Sequence, residues 1–174
     1  SWTRRFYVVD TREKTSAVYY LITHFARKSG FPLNFFTNRC TVCTVSYSIT
    51  WEEAGVIWRY EGTLSGEELI QSNLDIYGDS RFDQLRHQIV DLRGVTEFEI
   101  SPQHMRKIAF LDKAAAQSNP HIRIAVITED PIGQRITEEY ASHIGDAHWP
   151  VRTFEQYDKA IDWARGYSHQ AKRS

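Results

Sequence analysis

The most constraining stretch of the chain runs from Gln88 to Thr128, because its hydrophobic pattern changes period twice. Gln88-Ile89-Val90-Asp91-Leu92 is a short apolar run with branched side chains at Ile89 and Val90, the pattern of a buried strand. Arg93-Gly94 then reads as a break. Ser101-Pro102 opens a helix, with Ser as the N-cap and Pro at the first helical position, where its missing N–H costs nothing. Met105, Ile108, Ala109, Asp112, Ala115 and Ala116 follow at helical spacing and form one mostly apolar stripe. Asn119-Pro120 ends the helix, and Ile122 to Thr128 gives a second strand at once. Strand, helix and strand in that order make a βαβ unit, which joins its two strands in parallel.

The flanking sequence extends this unit. Tyr47, Ile49 and Trp51 alternate with polar residues, Glu52-Glu53-Ala54-Gly55 makes a turn, and Val56 to Tyr60 returns as the second strand of a hairpin. Ser65 and Glu68 form a capping box for a helix that ends near Gly78. The polar segment Asp79–Arg86 carries Phe82 and Leu85, which are expected to tuck beneath it. Asp130-Pro131 caps a third helix, with Ile132, Ile136, Tyr140 and Ile144 as its inward stripe and Gly145 at its end. Val151 to Phe154 is the last strand, and Thr153 with Gln156 reads as a second capping box for the last helix. The order ββαβαβαβα predicts a mixed, mostly parallel sheet. Residues 56–60, 88–92, 122–127 and 151–154 are expected to be its central strands. Asp112 is expected at the border of its helix stripe, since an unpaired carboxylate is too costly to bury.

The formal net charge of -1 argues against a general nucleic-acid or membrane-surface binder. That total conceals an asymmetry. Residues 1–44 hold 7 Lys/Arg and 2 Asp/Glu, whereas residues 45–174 hold 14 and 20. Both cysteines lie in the basic part as Cys40-Thr41-Val42-Cys43, a spacing that lacks the second ligand pair of a structural zinc site; His24 is the one nearby candidate ligand. The organisation expected is an extension over 1–44, loosely ordered or outside the native protein, with Val45 as the true start. A domain over 45–167 and a flexible tail over 168–174 follow. No apolar run is long enough to span a membrane, and a cytoplasmic location is the expectation.

Several segments resemble a known family: Trp51-Glu52-Glu53, Trp58-Arg59-Tyr60-Glu61-Gly62, Tyr77-Gly78-Asp79-Ser80-Arg81-Phe82-Asp83, Ile89-Val90-Asp91-Leu92 and Ala114-Ala115-Ala116-Gln117-Ser118-Asn119-Pro120. Over about residues 45–167 the chain is similar to the SpoIIAA-like (STAS/SEC14-type) proteins, whose STAS domain is that of the anti-sigma-factor antagonists. The resemblance implies an α/β STAS-like fold of about five strands and four helices. In signalling STAS proteins a serine at the start of the helix after the third strand, within Asp-Ser-Ser-Gly, is phosphorylated. The matching place here is Glu99-Ile100-Ser101-Pro102, which carries over Ser101 by position while lacking the glycine.

Four residues emerge as binding or regulatory candidates. Asp91 ends a parallel strand, the edge where α/β sheets hold ligands. Gly94 opens the loop that leads to the helix. Ser101 is an N-cap and a phosphosite candidate, since a phosphate at a helix N-terminus meets backbone N–H groups and a favourable dipole. His104 stands in the first turn after Glu97 and Glu99, where acid–base work would be feasible. His143, Asp146 and His148 match no metal-ligand spacing. Neither a phosphate-binding glycine loop nor a nucleophile-elbow motif is present, and no catalytic residue, metal or cofactor is assigned. The expected function is a non-enzymatic regulatory or protein-interaction module, with a homodimer left open. The alternative, implied by the SEC14-type side of the resemblance, is a binder of a small apolar ligand.

Overall fold

The computed structural model describes residues 47–145 and 149–166. The extension, Cys40, Cys43, His24, Asp146, His148 and the tail lie outside the described residues. The elements are β1 (Tyr47–Trp51), β2 (Gly55–Ser65), α1 (Gly66–Tyr77), a 3-10 turn (Phe82–Gln84), β3 (His87–Glu99), α2 (Pro102–Ser118), β4 (Arg123–Ile127), α3 (Pro131–Ile144), β5 (Val151–Phe154) and α4 (Tyr157–Arg165). This is the order ββαβαβαβα. The strands lie side by side in the order β1-β2-β3-β4-β5. β1 runs antiparallel to β2, and every other pair is parallel, including β3 with β4. No helix of the described residues is long and apolar enough to cross a membrane.

Strand alternation sorts the sheet into two faces. Val56, Trp58, Tyr60, Leu92, Ile124 and Val126 point to one side and build the larger core with α1, α2 and α3. Ile57, Ile89, Ala125 and Ile127 point to the other, where Ala160 and Ala164 of α4 cover them. A sheet covered on both faces explains why β3 and β4 are apolar at consecutive positions rather than at alternate ones.

The helix starts follow the sequence closely. Ser65 and Glu68 form the full capping box at α1, and Asp130 Oδ1 accepts from the N–H groups of Ile132 and Gly133 at α3. Phe82 and Leu85 are buried beneath the 79–86 segment. Asn119, just past the end of α2, holds this corner. Its Nδ2 donates to the carbonyls of Phe82 and Leu85, both at 2.9 Å, and its own carbonyl accepts from Trp149 Nε1 at 2.7 Å.

Four expectations need correction. β3 does not stop at Arg93-Gly94, and β2 does not stop at Tyr60. Both strands continue, to Glu99 and Ser65, with irregular register between Arg59 and Glu61 and between Gly62 and Thr63. Gly94 lets the strands close there, because a Cβ on it would stand 2.7 Å from the Tyr60 carbonyl oxygen. β5 is an edge strand, not a central one, because nothing pairs beyond it among the described residues. Ile132 is 47% exposed, and the inward side of α3 is Gly133, Thr137, Tyr140 and Ile144. Strict i+4 spacing overshoots a helical turn by about 40° per step, so a stripe of four such residues wanders off the buried face. Finally, Thr153 lies in β5 and Gln156 caps α4 without a side-chain bond, so the second capping box does not form.

The Asn119 corner yields a prediction. Asn119→Ala would remove one donor from each of two carbonyls, leaving the Phe82 carbonyl with the Leu85 N–H and the Leu85 carbonyl with Arg86 Nη1, and should lower unfolding stability by about 1–3 kcal/mol. Urea denaturation followed by Trp fluorescence measures it. A loss below about 0.5 kcal/mol, the level of an ordinary surface change, would show that the corner does not depend on the amide.

Candidate functional site

Two regions bring polar groups together. The first is the end of the sheet beyond β1 and β4. β1 pairs with β2 only up to Tyr60, and β4 pairs with β3 only up to Asp91. Past those points Glu61–Ser65 and Gly94–Glu99 pair, among the described residues, only with each other and form a two-stranded ribbon. Glu61, Thr63, Thr96, Glu97 and Glu99 are exposed on it and Arg93 just before it, while Leu64 is buried and Phe98 packs on the core. The ribbon leads into Ser101 and the start of α2.

There Ser101 and His104 form a reciprocal capping box. The His104 backbone N–H donates to Ser101 Oγ at 3.4 Å, and the Ser101 backbone N–H donates to His104 Nδ1 at 3.2 Å. An imidazole nitrogen takes the place that Glu or Gln usually holds in this motif. The bond to Nδ1 leaves the ring proton on Nε2, which lies 3.6 Å from Glu67 Oε1. The carboxylate near His104 is therefore on α1, not Glu97 or Glu99 as expected from chain proximity. Gly66 makes room for the ring, since a Cβ there would sit 2.0 Å from Nδ1.

Asp91 does not join this group. It is buried, and Arg93 grips it with Nε at 2.9 Å and Nη2 at 2.7 Å, with the Arg93 backbone N–H at 3.2 Å as a third donor. Burial pushes the Asp91 carboxyl up, but the three Arg93 bonds outweigh it and hold the group below the usual carboxylate range. Arg93 in turn lies over the Tyr157 ring of α4, 5.3 Å from its centroid. Asp91 thus turns to the α4 side of the sheet and is engaged as a structural ion pair. Of the four candidates, Ser101 and His104 meet, Gly94 lies in the ribbon, and Asp91 stands apart.

The second region is buried. Asp112 is not at the border of its stripe; it is 3% exposed. Its burial is tolerated because Tyr77 of α1 donates to Oδ1 and Tyr140 of α3 donates to Oδ2, the latter at 2.5 Å. Burial pushes the carboxyl up to about 6, and the hydrogen bonds from Tyr140 and Tyr77 offset only part of that. Burial, together with the neighbouring carboxylate, also raises both phenols well above their usual range, so they remain donors. Beside this cluster lies a cavity of about 70 Å³ between the sheet and α1, α2 and α3. Trp58, Gln88, Asp112 and Tyr140 all line it, with Tyr60, Asn73 and Thr137 as further polar residues in a mostly apolar wall. Trp58 Nε1 and Gln88 Nε2 are buried and have no hydrogen-bond partner among the described residues.

Sequence reasoning singled out Asp112 only as an interruption, and it passed over Trp58, Gln88, Tyr77 and Tyr140 as core residues. The available signal was Gln88. An amide at the start of a strand buried on both faces is a departure from the apolar pattern, and its neighbours across the sheet are Val56 and Ile124.

No family model matches the chain, and no curated protein matches it. Five chains of solved structures match. One is the anti-sigma factor antagonist SpoIIAA in its unphosphorylated form, 12% identical over 69% of this chain and 98% of that one, with a TM-score of 0.48. Another is an uncharacterized protein of the DUF3478 family with a SpoIIAA-like fold from Shewanella loihica PV-4. It is 15% identical over 74% of this chain and 99% of that one, with a TM-score of 0.40.

Asp112 makes stability depend on pH in a defined direction. Its folded-state value, about 6, lies above the ordinary 3.8. Below pH 3.8 the group is protonated in both states. As pH rises from there to about 6, the unfolded chain loses the proton first and folding weakens. A folded-state pKa about two pH units above the unfolded one corresponds to about 3 kcal/mol. Asp112→Asn removes this slope, so the variant should gain on the wild type by about that amount between about pH 4 and about pH 7.5 in parallel urea titrations. Equal pH profiles for the two chains would contradict the assignment.

Proposed function

We propose that this chain is a non-enzymatic regulatory module of STAS type that binds a protein partner through the β2/β3 ribbon and the start of α2. The observation that carries the reading is the ribbon itself. It extends past β1 and β4, and its paired strands carry exposed Glu61, Glu97 and Glu99 and no cation, the exposed Arg59 and Arg93 standing just before it. Exposed edges that carry charge are how sheets avoid indiscriminate pairing, and a fixed pattern of charge selects a complementary partner. The partner expected is therefore a protein with a basic surface.

The use of Ser101 and His104 supports a role without catalysis. A serine beside a histidine would serve as a nucleophile if the ring accepted the hydroxyl proton. Here Nδ1 is occupied by the Ser101 backbone N–H, and Nε2 faces Glu67. The pair is committed to starting a helix. Phosphorylation of Ser101 would have to displace the cap and add charge next to Glu97 and Glu99, which oppose it.

The test is a pull-down with the full chain, followed by titration of the recovered partner. Glu97→Lys with Glu99→Lys should weaken binding at least about tenfold at low salt, with less effect at high salt, where the charges are screened. The melting temperature should stay nearly unchanged, since both residues are exposed. Ser101→Ala should cost about 1 kcal/mol of stability through the lost cap. Ser101→Asp should leave stability near the wild type, because Asp caps as well as Ser. Unaltered binding by the double charge reversal would dismiss the ribbon as the interface.

A further inference from the structure

The cavity on the α1–α3 side of the sheet combines features that packing alone does not call for. A buried N–H without an acceptor costs free energy, and a core position has apolar alternatives of the same size. The two unpartnered donors, Trp58 Nε1 and Gln88 Nε2, belong to residues only 1% and 2% exposed, and both line this same space. They sit on adjacent parallel strands, where Trp58 is paired with Val90 and Gln88 with Val56. A side-chain amide can turn to present either its N–H groups or its oxygen. An indole N–H can only donate. The geometry therefore asks for an acceptor atom in the cavity.

The walls narrow the choice further. A cation would face the Trp58 and Gln88 donors, and the one carboxylate in the wall, Asp112, already accepts at both oxygens from Tyr77 and Tyr140. An anion would meet Asp112, whose two oxygens are held by Tyr77 and Tyr140 and which offers an anion no hydrogen. The remaining polar lining residues are engaged elsewhere, Tyr60 with Ser72, Asn73 through Nδ2 with the Leu69 carbonyl and Thr137 with the Gly133 carbonyl, and the rest of the wall is apolar, including Leu92, Met105, Ile108 and Val126. A cavity of about 70 Å³ accommodates a compact molecule, at about 10–15 Å³ for each water-sized group. Leu69, Phe98, Ile100 and Ile136 line the same space and are only half-buried, which marks the side nearest solvent.

We propose that this cavity binds a small uncharged carbonyl compound, whose oxygen accepts from Trp58 Nε1–H and Gln88 Nε2–H while its apolar body lies against the surrounding core side chains. The site is separate from the ribbon, and the proposal stands whether or not a protein partner docks there.

Cyclohexanone and its hydrocarbon counterpart methylenecyclohexane are suitable probes, since they match in shape and differ in the acceptor. The isotope-labelled full chain is titrated with each, and the indole N–H resonance of Trp58 is followed. The resonance is assigned through its disappearance in Trp58→Phe or, should that variant not fold, through backbone-linked spectra of the wild type. Cyclohexanone should give a saturable downfield shift, and methylenecyclohexane should bind about tenfold more weakly, as expected for loss of one or two hydrogen bonds. Gln88→Leu supplies the second arm. It removes an unpartnered buried amide, so it should raise the melting temperature while weakening cyclohexanone about tenfold, the trade of stability for function that a binding site shows. The proposal is overturned by the absence of a saturable shift, by equal affinity for the two probes, or by a Gln88→Leu chain that binds cyclohexanone as the wild type does. A Gln88→Leu chain that melts lower than the wild type would also overturn it, by placing the amide in the scaffold.

Discussion

Three helices on one face of the sheet meet at a single carboxylate. Asp112 projects from α2 and accepts from Tyr77 of α1 and Tyr140 of α3, all beneath the surface. Apolar contacts alone would let these helices slide over the sheet in many nearly equivalent ways. Two directional bonds to one group fix their relative positions, because any slide that breaks a bond leaves a buried charge or phenol without a partner. The adjoining pair Tyr60 and Ser72 does the same between β2 and α1, at 2.5 Å, and the Ser72 hydroxyl also lies 2.9 Å from the Leu69 carbonyl, to which it donates. The larger core is thus a hydrophobic layer pinned by a few polar contacts, and the cavity lies among the pins.

The fold was legible because its main devices are local. Capping residues, Pro at the first helical position and the change of period between strand and helix placed most elements near where they stand. What stayed hidden has one common cause, which is that tertiary partners decide it. The inward positions of β3 run Gln88, Val90 and Leu92, and then Val95 and Phe98, with Ile100 just past its end. Two three-residue steps replace the two-residue step, one at each register irregularity with β2. Strict alternation fails at Arg93-Gly94, so the strand reads as finished there. Only the partner strand shows that the extra residues are bulges within a continuous ladder.

The candidate site divides along the same line. Ser101 was recognisable as a cap from Ser-Pro alone, but its reciprocal partner was not, because histidine is an unusual third residue for a capping box. Asp112 carried a warning, since a carboxylate in an apolar stripe must be at the edge or be paired. Which of the two holds depends on tyrosines 35 and 28 residues away, whose distance no spacing rule can supply.

The ribbon also divides the molecule by how it opens. Glu61–Ser65 and Gly94–Glu99 share one ladder with each other and none with β1 or β4. Separating them leaves the β3–β4 and β4–β5 ladders intact and costs the exposure of Leu64 and Phe98, so this end is expected to open locally, below the free energy of global unfolding. Ser101 follows directly, so the opened segment ends at the capping box of α2, whose bonds run between Ser101 and His104 alone. The chain therefore holds a rigid frame and a breathing edge in one continuous sheet, with the boundary at the first bulge.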